Sequence, residues 1–292
     1  MTEPSSSTLA SPRWQSLVVP EALAASLGRT DLVVLDARSS LADPAACERA
    51  YEQSHLPGAR FADLDRDLSD HHRYGGRHPW PGAADFTAKL GAWGITPQHQ
   101  VVIYDAGDGA LSAARAWFLL RALGHHDVAV LDGGWESWTS AGLPVEAGVP
   151  AVAHPAVYDA TFAAERLLDA AQVQAHVAAG GLLIDARAAE RFRGEVEPMD
   201  RVAGHVPGAI NRPYAQNLQD GRFKPAALLH QEFESILAGR EPSDAVVMCG
   251  SGVTACHHLL AMAHAGLPGA KLFTGSWSGW IEDPSRPVAS GA

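Results

Sequence analysis

Apolar runs of four or five residues recur along the chain, each set between longer stretches whose apolar positions fall at helical spacing. Residues 33–36, 101–104 and 128–131 show no alternation of polar and apolar side chains. Such runs suit strands covered on both faces, the condition of a parallel sheet. Between them, 20–27 reads as a helix with Pro20 at its first position, where a missing N–H breaks no bond. Residues 83–90 read as a helix stopped near Gly91 and Gly94, and 112–123 as one ending at Gly124. The second half has helices over 169–179, 225–237 and 255–265, and strands over 182–185 and 245–248. Strands alternating with helices predict the α/β class, with parallel sheets flanked by helices.

The two halves also repeat in detail. Leu35-Asp36-Ala37-Arg38 returns as Ile184-Asp185-Ala186-Arg187, and His55-Leu56-Pro57-Gly58-Ala59 as His205-Val206-Pro207-Gly208-Ala209. The strand before Asp105 aligns with the strand before Cys249, and Gly134-Trp135 with Trp138 returns as Ser276-Trp277 with Trp280. Four blocks in the same order mark a duplicated domain. The boundary falls between Leu143 and Tyr158, where Pro144, Pro150 and Pro155 interrupt regular structure. The expected division is a polar, Ser-rich tail over 1–14, a first domain over 15–146, a linker over 147–156 and a second domain over 157–292. Because Asp105 stands where the second copy has Cys249, only the second domain carries a nucleophile.

Cys249 ends a strand, and Gly250, Ser251, Gly252, Val253 and Thr254 lead from it into a helix. Backbone amides of such a loop can curl around the sulfur, and the helix N-terminus adds partial positive charge. Both favour a thiolate. Cys256 lies two helical turns further on and reads as a packed core thiol. Cys47 lies in a polar, loop-like region and reads as exposed.

Composition narrows the classes. A net charge of −11 without a Lys/Arg stripe argues against a nucleic-acid partner. No apolar stretch is long enough to span a membrane, so no membrane partner is expected. The N-terminus lacks the basic start and apolar stretch of a signal peptide. Three cysteines do not make a disulfide framework, and a working thiol suits a reducing compartment, so the expected location is cytoplasmic. The adjacent pairs His71-His72, His125-His126 and His257-His258 are expected to point in different directions, and no metal-binding spacing occurs, so no metal is expected.

Asp-Ala-Arg, then Gly-His-x-Pro-Gly-Ala, then a cysteine loop, then Gly-Ser-Trp is an ordered set that resembles the rhodanese-like sulfurtransferases, from about Ser16 to Val288. The resemblance implies two tandem rhodanese-like domains, the first non-catalytic. The loop Cys249-Gly250-Ser251-Gly252-Val253-Thr254 is similar to that of 3-mercaptopyruvate sulfurtransferases. Thiosulfate-specific members usually place basic residues just after the cysteine, where this chain has Gly250 and Ser251. The implied reaction moves sulfur from 3-mercaptopyruvate to a thiol or cyanide through a persulfide on Cys249, with thiosulfate as the alternative donor. No organic cofactor is required, and thioredoxin or glutathione would serve as thiol acceptor. The resemblance further implies that Ser251 works with an Asp and a His of the first domain. Asp65 and His78 match best, with Asp63 and His71 as rivals. It makes Arg191 and Arg201 the clamps for the donor carboxylate; Arg193 could substitute, but reads as surface-exposed. Gly250, Gly252, Val253 and Thr254 would cradle the donor.

The Asp-Ala-Arg and His-x-Pro-Gly blocks occur in both halves, including the one without a thiol, and read as structural. Two other functions compete. A cysteine phosphatase needs an arginine six positions after the thiol, where this chain has Ala255. A non-catalytic interaction module fits the loss of the thiol in the first copy, but not the complete loop in the second.

Overall fold

The computed structural model describes residues 12–40, 42–109, 112–151 and 154–291. Most of the expected tail lies outside them. Trp14, expected within the tail, is packed: its N–H donates to Gln100 Oε1 at 2.9 Å and its ring joins an apolar cluster.

Strands β1 (Leu17–Val18), β2 (Leu32–Asp36), β3 (Arg60–Phe61), β4 (Gln100–Tyr104) and β5 (Val128–Leu131) form a sheet in the order β1-β5-β4-β2-β3. All four pairings are parallel. The second half has β6 (Leu167–Leu168), β7 (Leu182–Asp185), β8 (Ile210–Asn211), an antiparallel pair β9 (Leu218–Gln219) and β10 (Arg222–Phe223), then β11 (Ala245–Met248) and β12 (Lys271–Phe273). Its main sheet runs β6-β12-β11-β7-β8, the same order and again wholly parallel.

Hydrogen bonds repeat along with the strands. Trp135 N–H donates to the Asp105 carbonyl at 2.9 Å, and Trp277 N–H to that of Cys249 at 3.0 Å. Arg38 bonds the Ser54 carbonyl at 2.7 Å, and Arg187 that of Gly204 at 2.8 Å. Trp138 and Trp280 each donate to the carbonyl of a proline, Pro144 and Pro287. Neither Asp-Ala-Arg pair is exposed: Arg38 meets Asp36 at 2.6 Å and Arg187 meets Asp185 at 2.7 Å.

The cores are not two separate bodies. Residues of each strand alternate between the two faces of its sheet. Val33, Leu35, Val101, Ile103, Ile184, Ala245 and Val247 all belong to one continuous apolar cluster shared by the halves. The alternate residues form an outer cluster for each half, with Val34, Val102 and Tyr104 in one and Leu183, Val246 and Met248 in the other. In the shared cluster the helix Ala113–Ala122 packs against the helix Ala255–His264.

Four helices were not expected: Pro44–Gln53, Gly134–Ser140, Ala189–Phe192 and Ser276–Trp280. Pro44–Gln53 is capped by Asp43, whose side chain accepts from Ala46 N–H, and it buries little beyond Tyr51. Cys47, read as an exposed loop thiol, is half-buried on this helix.

His257 and His258 also depart from expectation, since both rings turn toward Asn217. Its side-chain amide meets their Nδ1 atoms at 2.9 and 2.8 Å. The opposite nitrogens donate to the carbonyls of Asp108 and Arg212. This pattern needs both rings neutral, and burial pushes each down to about 3. An unfolded chain protonates its histidines near pH 6.5, so acidification favours unfolding progressively between about pH 6.5 and pH 3. The thermal midpoint should therefore fall across that window; a flat profile would contradict the arrangement.

Candidate active site

Strand β11 delivers Cys249 to the mouth of the second sheet, between the two halves. The residue is buried, and its N–H donates to Ser276 Oγ at 3.0 Å. Ser276 has φ 50°, an unusual conformation for a side-chain-bearing residue, which turns its hydroxyl back to the loop. Gly252 is required as glycine: its φ is +75°, and a Cβ there would lie 2.4 Å from the Thr274 carbonyl oxygen. The first copy shows what such a loop can hold. The amides of Gly107 and Gly109 converge on Asp105 Oδ1 at 3.3 and 3.0 Å, while burial pushes this carboxyl up to about 6.

A cavity of about 200 Å³ opens beside the thiol. Leu64, Arg77 and His78 line it from the first half. Arg187, Arg191, Met199, Tyr214, Cys249, Gly250, Ser251, Val253 and Thr254 line it from the second.

Ser251, His78 and Asp65 come together across the halves. His78 Nδ1 lies 2.8 Å from Ser251 Oγ, and its Nε2 lies 3.6 Å from Asp65 Oδ1. Asp65 also meets the exposed His71 at 3.0 Å. Asp63 instead caps a turn, accepting from the N–H groups of Asp65 and Arg66. Burial, and then the charge of Arg115, push His78 down to about 4, so the ring is neutral at ordinary pH.

The arginines differ from expectation. Arg191 is beside the loop, with its nitrogens 3.6 and 3.7 Å from where a Cβ on Gly250 would stand. Arg201 is not. Its guanidinium bonds the carbonyls of Ile281 and Glu282 and borders a separate, open depression. Arg193, as expected, is at the surface, paired with Glu195. The second cation at the loop is Arg77, from the first half, with Nη2 3.0 Å from the same Cβ position. The absence of basic residues at Gly250 and Ser251 thus does not leave the thiol without cations.

Carboxylates balance these charges. Asp200 bridges Arg77 and Arg191, and Glu197 bonds Arg191 at 2.7 Å. Burial opposes ionisation of Glu197, yet its bonds from Arg191 hold it below the usual range. Arg77 Nε is buried without a hydrogen-bond partner, and Arg187 Nη1, which also makes no hydrogen bond, pairs with a Glu197 oxygen at 3.5 Å. Neither arginine was expected at this cavity. An arginine next to His78 was the one available signal for Arg77.

Two parallel sheets of one topology, with a thiol at the loop of only the second, define a tandem domain with one reactive centre. The rhodanese-like domain model matches residues 19–141 and 169–283, and the chain belongs to that family. A Pseudomonas aeruginosa relative, named as a probable 3-mercaptopyruvate sulfurtransferase, is 51% identical over 94% of this chain and 98% of its own. A Mycobacterium tuberculosis relative, provisionally named a thiosulfate sulfurtransferase, is 43% identical over 96% of this chain and 98% of its own. The crystal structure of SseA from Escherichia coli, described among 3-mercaptopyruvate sulfotransferases, matches with a TM-score of 0.75 and 32% identity. That match covers 91% of this chain and all of the other.

Proposed function

We propose that this protein is a 3-mercaptopyruvate sulfurtransferase. The observation that carries the reading is the set of three guanidinium side chains, of Arg77, Arg187 and Arg191, that line the same cavity as Cys249 and Ser251. A donor with one carboxylate can use them without displacing every existing ion pair. Thiosulfate, a dianion, meets Arg77, Arg187 and Arg191 already balanced by Asp185, Glu197 and Asp200.

The Cys249 thiolate attacks the donor sulfur. As the new S–S bond forms, the C–S bond breaks and its electron pair passes into the enolate of pyruvate. Protonation at carbon releases pyruvate and leaves the persulfide on Cys249. Ser251 faces the ketone oxygen, where charge develops, and neutral His78 fixes its hydroxyl and can take or return its proton. A thiol or cyanide then removes the outer sulfur and restores the thiolate. Thioredoxin and glutathione are the proposed thiol acceptors, and a cytoplasmic location fits a persulfide that thiols must reach. Among the described residues no helix is long and apolar enough to cross a membrane.

Steady-state kinetics with both donors test the reading. The kcat/KM for 3-mercaptopyruvate should exceed that for thiosulfate; the reverse order would assign the other donor. Arg77→Met should raise KM for 3-mercaptopyruvate about tenfold through loss of a charge-assisted contact. Arg201→Met should leave KM within about twofold, since its partners are distant carbonyls.

A further inference from the structure

The helix Ala113–Ala122 is apolar except for Arg115 and Arg121, and Arg115 is its unusual residue. The side chain is fully buried in the contact between the halves. Among the described residues no carboxylate pairs with it. Its donors are spent on backbone carbonyls instead: Nε on Leu68 at 3.0 Å, Nη2 on His78 at 3.0 Å and Pro79 at 3.3 Å, and Nη1 on Gly252 at 3.1 Å. The guanidinium also lies over the Trp80 ring, 5.2 Å from its centroid. The groups that support its charge against burial are the thiols of Cys256 and Cys249. A buried charge paired with no carboxylate is costly, and a core helix has no packing need for one. Three of its carbonyl partners belong to the segment that presents His78 and to the loop that presents Ser251.

We infer that Arg115 is a positioning residue for sulfur transfer: from the first half it ties the carbonyl of His78 to that of Gly252 in the nucleophile loop, and so fixes the His78–Ser251 contact across the two halves. The inference rests on the proposed role of Ser251 and His78. It explains why a fork is needed there. One planar guanidinium reaches carbonyls on three segments at once, which an ammonium cannot do. Burial pulls Arg115 down to about 10, so its charge persists at neutral pH. That charge bears on His78 together with Arg77, while Asp65 opposes both and His71 adds a weaker push. Arg115 therefore has two separable effects, geometry through its fork and a neutral His78 through its charge.

Two variants separate them. Arg115→Lys keeps the charge and loses the fork. With 3-mercaptopyruvate its kcat should fall on the order of 100-fold, while the NMR titration of the His78 ring stays near the wild-type midpoint. Arg115→Gln removes the charge as well, and its His78 midpoint should rise by roughly one pH unit. In Arg115→Gly, guanidinium ion at a sub-denaturing concentration should restore part of kcat, a rescue that a packing defect would not show. A folded Arg115→Lys enzyme with wild-type kcat would overturn the inference. So would an unmoved His78 midpoint in Arg115→Gln; should that variant not fold, Arg115→Lys decides alone. The donor reading fails separately, through lack of turnover of 3-mercaptopyruvate by the wild type, and the two NMR titrations do not depend on it.

Discussion

Cys249→Ser is expected to abolish sulfur transfer, while Cys256→Ser and Cys47→Ser retain most of it. A hydroxyl cannot form a persulfide, so no alternative chemistry rescues the first variant. The other two thiols are placed differently. Cys256 is wholly buried, burial pushes its thiol far up, and its Sγ donates to the Gly252 carbonyl at 3.4 Å. Serine can make the same bond, so that substitution removes little. Cys47, half-buried on its helix, is likewise pushed up by burial, and Asp36, Asp43 and Asp63 add to the effect against Arg38. It is not among the residues lining the Cys249 cavity. Intact-mass measurement after adding 3-mercaptopyruvate should show one extra sulfur in wild type and none in Cys249→Ser. Extra sulfur on that variant would move the nucleophile elsewhere.

The elements legible in the sequence are those whose own residues carry the signal. Strands β2, β4, β5, β7 and β11 are continuous apolar runs, and a parallel sheet buries them on both faces. The helix Pro44–Gln53 escaped because its residues are mostly polar and only Tyr51 is buried. The shared core escaped for a related reason: alternation within a strand that is covered on both faces leaves no mark in hydropathy, so the sequence does not say which face meets the other half. In the site, Cys249 and Ser251 were legible because the loop holds them in one segment. Asp65 and His78 needed a resemblance to single them out; the geometry sets His78 against Ser251 and Asp65 on the far side of the His78 ring. The arginines were the least legible. Arg201 lies in the nucleophile's own domain but turns to the Ile281 carbonyl, whereas Arg77 and Arg115 come from the other half. A charge in an otherwise apolar helix was a usable signal for Arg115, but it does not name what the charge touches.

Asp36→Ala should destabilise the protein by about 3–5 kcal/mol and leave the activity of each folded molecule nearly unchanged. Asp36 is fully buried and holds the Arg38 guanidinium through Nε and Nη2 at 2.9 and 2.6 Å. It also accepts from the Tyr104 hydroxyl at 2.5 Å. Arg38 carries this charge onward to the Ser54 carbonyl and lies 4.4 Å from the Trp135 ring centroid. Removing the carboxylate strands a buried cation and a buried hydroxyl together, which costs more than the pair itself contributes. The pair Asp185–Arg187 has the same geometry in the second half, but there Arg187 also borders the Cys249 cavity, so its loss would mix stability with chemistry. Neither Asp36 nor Arg38 is among the residues that line that cavity. Denaturant unfolding followed beside active-site-normalised kcat separates the two effects. The triple substitution Asp36→Leu, Arg38→Met and Tyr104→Phe should recover part of the lost stability, since apolar groups of similar volume leave no charge or hydroxyl unpaired. An Asp36→Ala protein of wild-type stability would show that Arg38 finds another partner. A large loss of normalised kcat would instead give the first copy of the motif a part in the chemistry.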